Sequence, residues 1–139
     1  MSPSLNHSYL CKKIIVAIEQ SEQWEAWPGL ALDIEGGLVP DIAIYKKGLI
    51  KPDFTEDKTR CEVLPQLAIE IVSPSQAVHD LMLKARKFLA AGIPAVWTVE
   101  PYGAVIYISK KNETKAVIAE LVKTEEVELD FAKIFKQND

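Results

Sequence analysis

The chain has 139 residues, of which 48% are hydrophobic and 26% charged, and its net charge is −4. That length suits one domain with a real core, and that balance excludes a disordered chain. An acidic total counts against a protein that coats nucleic acid, but not against an enzyme that touches a short stretch of backbone through a local basic strip and a metal ion.

From His7 to about Gln23, Leu10, Cys11, Ile14, Ile15 and Ile18 recur at three- and four-residue spacings, which predicts an amphipathic helix. Ser4 or Asn6 is placed to cap it, and Trp27-Pro28-Gly29 to break it. Leu30, Leu32 and Ile34 alternate as a half-buried strand does, Glu35-Gly36-Gly37 makes a turn, and a second strand follows over Val39–Tyr45. The charged stretch from Lys46 to Glu62, broken by Gly48 and Pro52, is expected to be a loop.

Leu67–Val72 is almost wholly apolar, the pattern of a central strand buried on both faces. Ser73-Pro74-Ser75-Gln76 resembles a capping box that opens a helix running to about Ala91, with Val78, Leu81, Met82, Ala85, Phe88 and Leu89 as its core stripe. Gly92 and Pro94 end it. Ala95–Val99 is a further buried strand, Glu100–Gly103 a turn and Ala104–Ile108 the returning strand; Val117–Leu121 adds an edge strand and Phe131–Phe135 a short helix. The strand–helix–strand unit from Leu67 to Val99 implies a right-handed parallel crossover. With no repeat or linker, the expectation is a single α/β domain over residues 1–139, a mixed sheet flanked by helices.

No apolar run reaches the ~20 residues that span a bilayer, and Ile14–Ile18 is too short for a signal-peptide core. Cys11 and Cys61 lie far apart and outside any CxxC spacing. That argues against a zinc site or a disulfide scaffold and suits a reducing cytoplasm.

Glu70 is the most informative residue. A glutamate in the middle of a fully buried strand is costly unless paired, so it is either half of a structural ion pair or a working carboxylate. Asp41, after Pro40 at the head of the neighbouring strand, makes the second reading stronger, because two carboxylates on adjacent strands are what an oxygen-seeking Mg²⁺ or Mn²⁺ needs. Without a cation they repel. The reading requires them to converge, with Glu70 not neutralised by a lysine or arginine deep in the core. Lys84 flanks its helix's apolar stripe and can reach the sheet edge, with Asp80 to orient it; spacing alone favours a solvated Asp80–Lys84 pair. His7 shares a face with Leu10 and Ile14, where it either nears the site or packs. His79 reads as surface and Trp97 as core. Lys46, Lys47, Lys51, Lys58 and Arg60 form either a phosphate-facing strip or, more commonly, a solvated loop.

These residues carry a resemblance. Pro40-Asp41-Ile42-Ala43-Ile44, the Pro65–Ser75 stretch ending in Glu70-Ile71-Val72-Ser73-Pro74-Ser75, the pair Asp80 and Lys84, and Ala91–Pro101 around Trp97 together are similar to the Uma-two family of restriction-endonuclease-like proteins. The match runs from about His7 to Ile108, and Met1–His7 resembles the lead into the family's first helix. The resemblance implies a PD-(D/E)xK nuclease fold and divalent-metal-dependent hydrolysis of DNA phosphodiesters. Asp41 and Glu70 then correspond to the acids, aided by a main-chain carbonyl near Ile71. Val72 stands where a lysine is usual, and the family pattern gives that role to Lys84. Val96 replaces a usual tyrosine and Glu100 an aspartate. Members also carry a further N-terminal segment with a Y-E-L-x-x-G strand and turn, which this chain is expected to lack. That expectation, with the acidic charge, favours the alternative of a non-catalytic binding or assembly module. A homodimer through exposed sheet edges is a further expectation.

Overall fold

The computed structural model describes residues 4–136, so Met1–Pro3 of the resemblance fall outside the described residues. Helix α1 (Leu5–Glu19) starts where the Ser4 side chain accepts the His7 N–H at 3.1 Å, and it buries Leu10, Ile14 and Ile18. It stops at Glu19 rather than near Gln23. The chain turns there through a Ser21 N–H to Ile18 carbonyl bond and a Gln23 N–H to Ser21 Oγ bond. Strand β1 (Trp24–Pro28) follows, where only a break was expected. Two side chains fix it: the Trp24 indole donates to the Glu126 carbonyl at 3.2 Å, and Glu19 Oε2 accepts the Ala26 N–H at 2.6 Å.

Strands β2 (Ile42–Lys46), β3 (Leu67–Ile71), β4 (Ala95–Glu100), β5 (Val105–Lys110) and β6 (Glu113–Ile118) complete a six-stranded sheet in the order β1-β2-β3-β4-β5-β6. Only β3 and β4 pair in parallel, joined over helix α2 (Val78–Ala90) as the crossover predicts. The others pair antiparallel. Strands β7 (Leu121–Thr124) and β8 (Val127–Asp130) form a separate hairpin leading into helix α3 (Phe131–Phe135). This is the expected mixed sheet flanked by helices.

Two hydrophobic layers sandwich the sheet. On one face Leu67, Ile69, Ile71, Trp97 and Val99 meet α1, the β7–β8 hairpin and α3; on the other, Ala68 and Val96 meet Ala85 and Phe88 of α2 and the loop residues Leu32 and Ile34. The alternation of residues along β3 explains the split.

Three local expectations need correction. Leu30–Ile34 is not a strand: Leu32 makes only isolated bridges, to Leu38 and to Cys61, and the alternating residues serve to bury Leu32 and Ile34 under α2. The turn at Glu35-Gly36-Gly37, all at positive φ, folds Leu38 back onto Leu32. Ser73 and Gln76 do bond reciprocally, with Gln76 Oε1 accepting the Ser73 N–H at 3.0 Å and the Gln76 N–H reaching the Ser73 carbonyl. They close a turn, however, and α2 starts two residues later at Val78. Val117–Leu121 straddles two elements, because Ala119 adopts φ 30° and hands its N–H to the Ala104 carbonyl, ending β6 before β7 begins.

Phe131 is fully buried, edge-on to Trp97 at 5.8 Å between ring centroids, while the Trp97 indole donates to Thr124 Oγ1 at 2.9 Å. These contacts clamp the hairpin and α3 to the sheet. Phe131→Ala is expected to cost about 3–5 kcal/mol, read as a lower urea midpoint; an unchanged midpoint contradicts the clamp.

Candidate active site

The register of β2 on β3 pairs Ile42 with Ile69 and Ala43 with Ala68, so continuing it by one residue sets Asp41 opposite Glu70. Asp41 lies just before β2. Its Oδ2 accepts the Ile71 N–H at 2.8 Å, and His7 Nε2 lies 3.0 Å from the same oxygen. The cap at Ser4 is what brings His7 there, since it places the residue in the first turn of α1 beside the head of β2.

Glu70 occupies the interior of β3 on the face covered by α2, with a side chain only 2% exposed against 26% for Asp41. Burial, and next the charge of Asp41, push the Glu70 carboxyl up from 4.5 to about 8, while Lys84 opposes the rise. The two acids therefore converge, as the metal reading requires. Lys84 Nζ lies 2.7 Å from Glu70 Oε1 and donates to the Val39 carbonyl at 2.7 Å. It approaches from the rim, 26% exposed, rather than from deep in the core. The Val39 carbonyl and Glu70 Oε1 thus share the one ammonium between them.

Further groups border the pair. Cys11 Sγ lies 3.8 Å from His7 Nδ1. Burial, then Asp41 and Glu70, push its thiol up to about 12. Thr98, paired with Glu70 across the β3–β4 register, is fully buried, and its hydroxyl lacks a partner. Asp80 is exposed in the first turn of α2 and makes no ion pair with Lys84; His79 is exposed beside it. Lys46 ends β2 at the opposite end from Asp41, and the loop beyond it lies in solvent, with Arg60 directed to Asp33 at 3.7 Å. The basic loop is thus a solvated one, remote from the acids.

Among the described residues no set of three or more His, Cys, Asp and Glu side chains forms a ready metal cage. What the site offers is a pair of carboxylates, one buried and one at the rim. This fits a small hard cation that keeps several of its waters, and not one that needs a full protein cage. Cys11 and Thr98 were the residues that sequence reading missed. Cys11 was legible as the residue four after His7 on one helical face; Thr98 was legible as the polar residue in an otherwise apolar Ala95–Val99 run.

A family model described as "Putative restriction endonuclease", Uma2, matches residues 1–135. Among solved structures, a "putative nuclease belonging to DUF820" from Anabaena variabilis superposes with a TM-score of 0.82 at 20% identity, over 97% of this chain and 83% of that one. At that identity the likeness establishes the fold. No curated protein matches the chain.

The raised Glu70 carboxyl makes stability depend on pH. Between 4.5 and about 8 the folded chain holds a proton that the unfolded chain has released, so the stability present below that window is lost as pH rises through it. In buffer free of divalent ions, the unfolding free energy is expected to fall from about pH 5 to about pH 8, by an amount of order a few kcal/mol. Glu70→Gln is expected to flatten most of that fall. A wild-type urea midpoint that does not move across the range excludes a protonated buried acid.

Proposed function

The chain belongs to the Uma2 family, and from that premise we propose that it is a nuclease that hydrolyses DNA phosphodiester bonds with the help of a divalent cation. The observation that carries the reading is the convergence of Asp41 and the buried Glu70 at one end of the central strands. Few ordinary reasons exist to bury two acids together, whereas a cation turns their mutual repulsion into a binding site.

Asp41 and Glu70 would hold Mg²⁺ or Mn²⁺, which supplies polarisation of the scissile phosphate and a lowered pKa for a bound water. The protein's own residues then have distinct tasks. Asp41 is fixed before any ligand arrives, by the Ile71 N–H and by His7. Glu70 must give up its proton to serve as a ligand, and Lys84 favours that ionised form. Lys84, anchored on the Val39 carbonyl at the rim, is placed to orient the attacking water or to offset the charge that builds on phosphorus.

A groove of about 900 Å³ between α2 and the β5–β6 hairpin carries Arg86, Lys110 and Lys111, but the strand register puts Lys110 opposite Ala95, at the far end of the strands from the acids. No helix among the described residues is long and apolar enough to cross a membrane. The two free cysteines fit a reducing compartment such as the cytoplasm.

Asp41→Asn and Glu70→Gln are each expected to abolish Mn²⁺-dependent plasmid nicking, a loss of at least about a hundredfold, while circular dichroism shows the fold intact. Mn²⁺ titration calorimetry should show binding by the wild type and none by either variant. Cleavage at the wild-type rate by both variants refutes the site. Lys84→Met is expected to keep Mn²⁺ binding and lose rate; if it keeps both, the lysine is only structural.

A further inference from the structure

Thr98 Oγ1 is a buried side-chain oxygen with no hydrogen-bond partner among the described residues, and the equally buried Glu70 Oε1 has the Lys84 ammonium at 2.7 Å. The two residues are neighbours. The parallel β3–β4 register pairs Glu70 directly with Thr98, and side chains at paired positions of neighbouring strands, about 4.8 Å apart, project to the same face. Both residues are shut away from bulk solvent, Glu70 at 1% and Thr98 at 0% exposure. Every other residue of β4 from Ala95 to Val99 is apolar, so a hydroxyl at this one position buries a polar group where a methyl of the same shape would serve.

A buried hydroxyl beside a buried carboxylate oxygen is the setting in which an internal water is retained, because such a water needs two to four polar partners. Glu70 Oε1 accepts, Thr98 Oγ1 donates or accepts, and Lys84 Nζ stands 2.7 Å from Oε1 at the open side. The apolar neighbours Ala68 and Val96, one step along each strand, offer no competing partner.

We propose that Glu70 and Thr98 share one ordered water between β3 and β4, and that Thr98 is a positioning residue which holds the Glu70 carboxylate in one orientation through that water. The water gives Thr98 Oγ1 its partner and Glu70 Oε1 a second one beside Lys84, and it fixes how Glu70 presents itself to Asp41 and to a cation. The catalytic half of this inference rests on the nuclease reading; the water itself does not.

Thr98→Val and Thr98→Ser test it by thermal unfolding in metal-free buffer and by Mn²⁺-dependent nicking. With the shared water present, Thr98→Val loses the bridge and strips Oε1 of its second partner, so Tm drops by several degrees; Thr98→Ser stays near wild type. If the hydroxyl is merely unpaired, Thr98→Val removes a buried polar group and Tm rises, which overturns the proposal. The kinetic expectation is a fall in kcat of about tenfold with KM unchanged for Thr98→Val, restored by Thr98→Ser. A lower Tm with unchanged kcat overturns the positioning role and leaves only a structural water. Should the wild type itself fail to nick, the nuclease reading and the positioning role fall together, while the sign of the Tm shift still decides whether a water is held. A crystal structure at about 1.5 Å with no density within hydrogen-bond reach of both oxygens overturns the water directly.

Discussion

One carboxylate in the wrong place organises this molecule. Glu70 stands in the interior of a strand whose every other residue is apolar and buried. Transferring a charge there is far more expensive than any single packing contact can offset, so the protein must surround it with compensations. They come from different directions: a lysine from α2 at the rim, and a carboxyl pushed up towards its protonated form by burial and by Asp41 opposite. Removing the glutamate would leave the fold with less to solve.

The sheet's pairing makes this convergence compulsory. Strand side chains alternate with a period of two, so a slip of one residue between β2 and β3 would move Asp41 to the other face and bring Ile42 against Glu70. The register is guarded on both sides of the pair. Ile42 and Ile44 are committed to the core under α1, while Ala43 stands beside Ala68, where only small residues leave room for Ala85 and Phe88 of α2. Apolar packing on both sides of the pair therefore sets the position of the acids.

Much of this was legible in the sequence because it depends on strong, local signals. The apolar Leu67–Val72 run, the Gly92 stop and the Trp97 strand each announce themselves by burial pattern, and Glu70 stands out against the first of them. The Asp41–Glu70 juxtaposition was legible from order and spacing, together with the resemblance to a family. What escaped was long-range. Trp24–Pro28 reads as a helix end because its ladder partner lies at Ile42–Lys46 and its anchors at Glu19 and Glu126, none of which periodicity can see. Leu30–Ile34 shows the converse error: its alternation was real, but it served burial beneath a helix, and no strand was free to pair with it. Lys84 lay between the two cases: helical spacing gave it to Asp80, the family resemblance gave it to the acids, and in the fold Val39 and Glu70 claim it.

The asymmetry between the two acids follows from what each is given. The Asp41 oxygen Oδ2 is held by a main-chain N–H and by an imidazole. Cys11 Sγ stands 3.8 Å from the other ring nitrogen, Nδ1, so thiol, imidazole and carboxylate line up from α1 to the head of β2. Asp41 is thereby held at the rim, whereas Glu70 lies buried with Lys84 against one oxygen. The same register that brings the two carboxylates together therefore gives them opposite surroundings, one open to solvent and one enclosed.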